Sequence, residues 1–245
     1  MSGHSKWATI KRKKAKVDAA RGKIFTRLAR EIIIAARQGG GDPDNNVRLK
    51  TAIQRAKEAN IPNDNIMRAV QKGAGELGAG SYEEITYEGY GPGGVAVLLD
   101  IMTDNRNRTA GEIRHMFSRH GGNLGETGCV AWMFEKKGLI VIDRSENSLD
   151  EDDLMLLALD AGAEDFKSEE DSYEVITSPE GISAVKEALE QSGFRIEDAD
   201  VTMVPQTEVK LSGAEAEQML RLMDALEEHD DVQYVYVNFE LDEQE

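Results

Sequence analysis

The stretch Gly73-Ala-Gly-Glu-Leu-Gly-Ala-Gly80 divides the chain into two parts that cannot share one kind of secondary structure. Before it, apolar residues return every three or four positions, the spacing that builds one face of a helix. After it, apolar and polar residues alternate in runs, which is the pattern of half-buried strands. A glycine-rich segment between such regions reads as a linker. The chain therefore has to fold as a helical unit joined to sheet-containing units.

Charge follows the same division. Residues 1–75 hold 17 Lys and Arg against 6 Asp and Glu, whereas residues 76–245 hold 12 against 40. The formal net charge of −17 argues against a polyanion partner until it is resolved by region. A concentrated cationic surface releases counterions from phosphates whatever a distant domain carries, and the acidic remainder turns the basic third toward the polyanion.

The helical pattern begins at Asp18, carries Ile24, Phe25, Leu28 and Ile32, and stops at Gly39-Gly40-Gly41. Asp42-Pro43 predicts the cap and first turn of a second helix with Val47, Leu49, Ala52, Ile53 and Ala56, and Asn63 the cap of a third. Beyond the linker, Glu84–Tyr90 and Val95–Thr103 flank Gly91-Pro-Gly-Gly94 as a hairpin, Arg106–His120 is helical, and Val130–Glu135 reads as a strand. Residues 138–204 run strand, helix, strand, strand, helix, strand, the ferredoxin-like order. A last helix (Ala214–Glu228) and strand (Val232–Phe239) would be orphans unless they complete the earlier sheet. The expected fold is α+β: an N-terminal three-helix domain at 1–75, then two α/β ferredoxin-like domains. One is discontinuous, 81–136 plus 206–241, and the acidic other, 138–204, is inserted into it.

Lys11-Arg12-Lys13-Lys14, with Lys6 and Lys16, places six cations within eleven residues. A flexible solubilising tail is the plain reading. Against it, Arg21, Lys23, Arg27, Arg30 and Arg37 continue the cations along the first helix, and Arg48, Lys50, Arg55 and Lys57 along the second, with few acids between. Trp7 either stacks on a base or pins the arm to the bundle. Asn105-Arg106-Asn107-Arg108-Thr109 opens a helix that also carries Arg114 and Arg119, suiting either a second phosphate contact or pairing with the acidic surface. Thr109 and Glu112 match a capping box.

Other motifs carry less. Gly89–Gly94 lacks the Gly-Lys-Ser/Thr ending of a phosphate loop. Gly73–Gly78 matches the dinucleotide fingerprint without its strand–turn–helix context. His4, His115, His120 and His229 share no ligand spacing with each other or with Cys129. Asp150–Asp153 suits a helix start better than a cation site. No cofactor, metal, catalytic group or small-molecule substrate is expected. Cys129 is alone, no run approaches the roughly 18–20 apolar residues of a membrane span, and the N-terminus has no secretory h-region. A cytoplasmic, non-membrane setting is expected.

Ser2-Gly-His-Ser-Lys-Trp7, Lys13–Asp18, Ala36-Arg-Gln-Gly-Gly-Gly-Asp-Pro43, Asn105–Thr109 and Gly121-Gly-Asn-Leu-Gly125 together resemble the YebC family from end to end. The resemblance implies three domains and a probable transcriptional regulator. Its mitochondrial relatives are translational activators, and some bacterial relatives are linked to ribosomes and to relief of stalling. The expected function is a non-enzymatic, nucleic-acid-binding regulator of gene expression, with DNA or ribosomal RNA as partner. The alternatives are a ribosome-associated translation factor and an acidic protein–protein adaptor. The expected contacts are Lys6, Trp7, Lys11, Arg12, Lys13, Lys14, Lys16, Arg21, Lys23 and Arg27, with Arg106 and Arg108 as a secondary set.

Overall fold

The computed structural model describes residues 17–75, 82–147, 150–169 and 171–241, with side chains from Ile24 onward. The fold is α+β, with helices first and sheets after. Helices α1 (Val17–Gly39), α2 (Val47–Glu58) and α3 (Asn63–Gly73) form the N-terminal bundle. Its core joins Ile32, Ile33, Ala35 and Ala36 of α1 to Leu49, Ala52 and Ala56 of α2 and to Ile66, Ala69 and Val70 of α3. Small residues let the helices approach closely: a Cβ on Gly73 would lie 2.4 Å from the Ile33 carbonyl oxygen.

The turn between α1 and α2 differs from expectation. The second helix starts at Val47, and its cap is Asn46, whose Oδ1 accepts from the Leu49 amide at 3.0 Å. Asn46 Nδ2 donates back to the carbonyls of Ala35 (2.8 Å) and Gly40 (2.9 Å). One buried amide thus closes one helix and opens the next, satisfying groups that both termini leave orphaned. Asp42 instead holds the preceding turn through the Asp44 amide and Asn45. The third helix is preceded by Pro62, and Asn63 lies within it.

Strands β1 (Glu83–Tyr90) and β2 (Ala96–Thr103) pair antiparallel with Tyr90 opposite Ala96. Gly93, at φ 67°, sits in the turn between them, in the left-handed region that glycine enters without steric cost. Helix α4 (Arg106–Arg119) and the short β3 (Asn123–Leu124) follow. The expected strand at Val130–Glu135 is instead a short 3₁₀ turn (Ala131–Met133) leading into one ten-residue strand, β4 (Phe134–Asp143).

From β4 the chain runs α5 (Glu151–Asp160), β5 (Asp165–Ser168), β6 (Ser172–Thr177), α6 (Ile182–Gln191) and β7 (Asp198–Pro205). These four strands make one antiparallel sheet in the order β5-β6-β4-β7, the ferredoxin-like arrangement. Then come β8 (Val209–Leu211), α7 (Gly213–Glu228), β9 (Val232–Val237) and β10 (Phe239–Leu241). Strand β9 pairs with β2, giving a second sheet ordered β3-β1-β2-β9. Strands β8 and β10 form a parallel pair, which the alternation pattern does not anticipate.

The second sheet has two different faces. Val97, Leu99 and Ile101 pack with Ile113 and Phe117 of α4 and with Met219, Leu222 and Leu226 of α7. The intervening residues of β2 point the other way, as alternation requires. There Ala96 and Leu98 meet Val130 and Phe134, and the rest of this face looks toward α1.

Candidate nucleic-acid interface

Of the twelve residues expected to meet nucleic acid, Lys6, Trp7, Lys11, Arg12, Lys13, Lys14 and Lys16 lie outside the described residues. Arg21 and Lys23 fall on the first two turns of α1. Arg27, Arg106 and Arg108 are described in full.

Arg27 is turned inward. Its guanidinium lies 5.0 Å from the centre of the Tyr234 ring on β9. Several neighbouring arginines behave alike. Arg30 pairs with Asp231 at 2.9 Å, donates to the Asp230 carbonyl, and lies 5.5 Å over Tyr82. Arg48 grips the Glu84 carboxylate on β1 with two nitrogens, while Gln38 donates to the same group at 3.0 Å. Arg55 reaches Asp200 on β7 at 2.5 Å and Glu31 at 3.6 Å. The continuation of basic charge along α1 and α2 is therefore, at Arg27, Arg30, Arg48 and Arg55, the cement between the bundle and the acidic sheets.

Asp231 is the hub of this seam. It is 2% exposed, and besides Arg30 it receives Arg108 (2.8 Å), Thr109 (2.7 Å) and Thr103 (3.2 Å). Burial works to raise its pKa. The hydrogen bonds from Arg108 and Thr109, with the charge of Arg30, outweigh that and hold the carboxyl below its ordinary value. Thr109 is thus part of the hub rather than a capping box, and the cap of α4 is Asn105, accepting from the Arg108 amide at 3.1 Å. Arg108 also pairs with Asp104 at 3.0 Å.

Glu112, His229 and Asp231 converge closely enough to suggest a metal site. The arrangement is complete without one. His229 Nδ1 accepts from the Asp231 amide at 3.1 Å, so in the neutral ring its Nε2 donates to Glu112 at 2.8 Å, and Asp231 is already paired with Arg30 and Arg108.

A second buried acid has a similar structural role. Glu88 on β1 is 3% exposed and accepts from the amides of Gly128 (2.6 Å), Val130 (2.8 Å) and Ala131 (2.8 Å). Burial opposes its ionisation, but the three amides prevail and lower its pKa. Their effect is to fix the glycine-rich loop ahead of β4. Burial pushes the Cys129 thiol up, away from reactivity.

Other cations face solvent. Lys50 and Lys57 on α2, seven residues apart and so on one side of the helix, and Arg68 on α3 are exposed and make no ion pair with a described residue. The same holds for Arg106, Arg114 and Arg119 of α4. Near the end of that helix, burial lowers the pKa of His120, and the charges of Arg119 and Arg221 add to the effect.

The family described as "TACO1/YebC protein N-terminal domain" matches residues 5–76, and "TACO1/YebC second and third domain" matches residues 82–239. The chain belongs to the TACO1/YebC family. It is 72% identical to a protein of Pelotomaculum thermopropionicum over 99% of this chain and 100% of that one. It is 64% identical to one of Desulforamulus reducens, over 98% and 99%. Both relatives are named "Probable transcriptional regulatory protein". Among solved structures it is similar to a conserved hypothetical protein of Aquifex aeolicus, with a TM-score of 0.79, 50% identity and 94% coverage of both chains. No helix among the described residues is long and apolar enough to cross a membrane.

Proposed function

We propose that this TACO1/YebC chain is a cytoplasmic, non-enzymatic regulator of gene expression. In this reading it binds the phosphate backbone of nucleic acid through a basic unit at residues 1–75. The acidic units, 81–136 plus 206–241 and the inserted 138–204, orient that surface. The observation that carries the reading is the segregation of charge, 17 cations against 6 acids before the linker. The relatives' names support the regulatory part.

The contact set narrows once the seam is taken out. Lys6, Lys11, Arg12, Lys13, Lys14, Lys16, Arg21 and Lys23 remain the primary contacts, with Trp7 for stacking. Lys50, Lys57 and Arg68 extend the surface on the bundle. Arg106 joins Arg114 as the secondary set. Arg27 and Arg108 contribute through position, since both are engaged within the chain. Phosphate contacts of this kind give affinity without reading bases.

Titrating labelled duplex DNA and structured RNA at several salt concentrations tests the proposal. Five to eight phosphate contacts predict a slope of log K against log salt of roughly −0.7 to −0.9 per contact. Charge reversal of Lys11–Lys14 should abolish binding while leaving the fold intact. Binding that ignores both salt and charge reversal would remove the proposal.

A second reading places the same surface on ribosomal RNA, where dense phosphates and shape select the site. The resemblance to translational activators favours it. Co-sedimentation with ribosomes on sucrose gradients supports translation, and selective protection of promoter DNA supports transcription.

A further inference from the structure

Glycine inside a helix is destabilising, since it gives up conformational freedom on folding and covers nothing. A fold calls for it where the backbone takes a positive φ or where a side chain would crowd a neighbour. From Gly39 onward, every described glycine meets one of those conditions except Gly111. Gly111 lies within α4 without a positive φ, and a Cβ there would meet nothing within 4 Å. Nothing inside the molecule asks for glycine at this position.

Its place on the helix is specific. Thr109 and Ile113, each two residues away, are buried, so at 3.6 residues per turn Gly111 lies on the crest of the solvent face. A helical side chain covers the turn that precedes it. With none at 111, the carbonyl oxygens of that turn are left bare. Asn107, Arg114 and Ser118 line up along the same crest, four residues before and three and seven after, and all are exposed. Arg119, also exposed, flanks the crest on its other side. The helix holds four arginines against one acid, Glu112, in a region with 12 cations against 40 acids. Glu112 itself is engaged by His229 at 2.8 Å.

We propose that this crest docks the sugar–phosphate backbone of A-form RNA, with the bare carbonyls beside Gly111 accepting from ribose 2′-hydroxyls and Arg114 and Arg119 meeting flanking phosphates. The inference rests on the nucleic-acid reading above and adds which polymer this face takes. Backbone carbonyls only accept. Phosphates have no proton to give and deoxyribose lacks the 2′-hydroxyl, whereas ribose supplies that donor. Shape agrees. Helices α4 and α7 lie side by side on one face of the sheet, so α4 presents a low ridge. A freely projecting helix, about 10–12 Å across, is what fills the DNA major groove. The A-form minor groove is wide and shallow and displays its 2′-hydroxyls.

The test is a polarisation titration of the full chain with three labelled duplexes of one sequence: RNA, DNA, and 2′-O-methyl RNA, which keeps the A form without the hydroxyl proton. RNA should bind most tightly. Gly111→Ala should weaken RNA binding about three- to tenfold, leave the other two duplexes and the salt slope unchanged, and raise the melting temperature. Loss of binding in a more stable variant cannot come from misfolding. Arg114→Gln should instead make the salt slope shallower, by up to about one. Full RNA affinity in Gly111→Ala, equal weakening on all three duplexes, or 2′-O-methyl RNA binding as tightly as RNA would each overturn the proposal. Those results leave the basic-unit reading standing, because charge reversal of Lys11–Lys14 tests it separately. Binding to no duplex, or binding indifferent to salt, would remove that reading and this one together.

Discussion

Arg30 reaches from the first helix to Asp231 at 2.9 Å, with side-chain exposures of 14% and 3%. Removing one member of so secluded a pair strands the other, a loss far greater than that of a surface pair. Asp231→Asn is therefore expected to destabilise the chain by about 3 kcal/mol or more in urea denaturation. Glu84→Gln opens a pair whose side chains are 42% and 38% exposed, and should lose less than about 1 kcal/mol. Equal losses would show that the hub has no special standing.

Acid should weaken the fold through the same groups. Asp231 and Glu88 both titrate below their ordinary values. As pH falls, the unfolded chain therefore takes up protons first, near pH ~4. Their contribution is complete above that value and disappears as pH drops through the folded pKa values. Stability measured against pH should fall below about pH 4, and Asp231→Asn or Glu88→Gln should flatten that limb.

Asp100 has the reverse sign, because its folded pKa is raised. Its contribution is present below the unfolded value and fades as pH rises through the folded one. Asp100→Asn should be more favourable to stability at pH 7 than at pH 4, read from urea midpoints. The opposite trend would contradict burial as the cause of the raised carboxyl.

Two glycine-to-alanine changes should differ in sign. Gly73→Ala forces a methyl against the Ile33 carbonyl, with an expected loss of about 1–3 kcal/mol. Gly111 lies in α4, where an added methyl would meet nothing within 4 Å, so Gly111→Ala should gain roughly 0.5–1 kcal/mol. Thermal melting of the two variants decides.

If nucleic acid follows the solvent-facing cations, replacing Lys50, Lys57 and Arg68 together by alanine should make the salt slope shallower. The change should be up to about one for each phosphate no longer neutralised. Arg48→Gln should leave the slope unchanged, since Arg48 is engaged by Glu84. A polarisation titration at four salt concentrations separates the two.

The helical and strand elements were largely legible because they rest on periodicity, and β1, β2 and the ferredoxin-like order follow it closely. Helix starts were less so. Asp42-Pro43 has the composition of a cap, but Asn46 won because its amide reaches two helix ends at once, which no local pattern reveals. The seam was hidden for a related reason. Arg27, Arg30, Arg48 and Arg55 read as a continuation of the basic run, and their partners Tyr234, Asp231, Glu84 and Asp200 lie far along the chain. A charge count by region records how many cations there are; it says nothing about which way each one turns. The bulge at Gln233 was equally invisible, since strand alternation continues through it.

The pairing of β2 with β9 joins residues near 100 to residues near 235. During synthesis, the hairpin of β1 and β2 must wait with one edge unfilled while more than a hundred further residues emerge. The β4–β7 sheet in between has all its strands available much sooner. Folding order is thus imposed by connectivity, the interior of the chain closing before the sheet that brackets it.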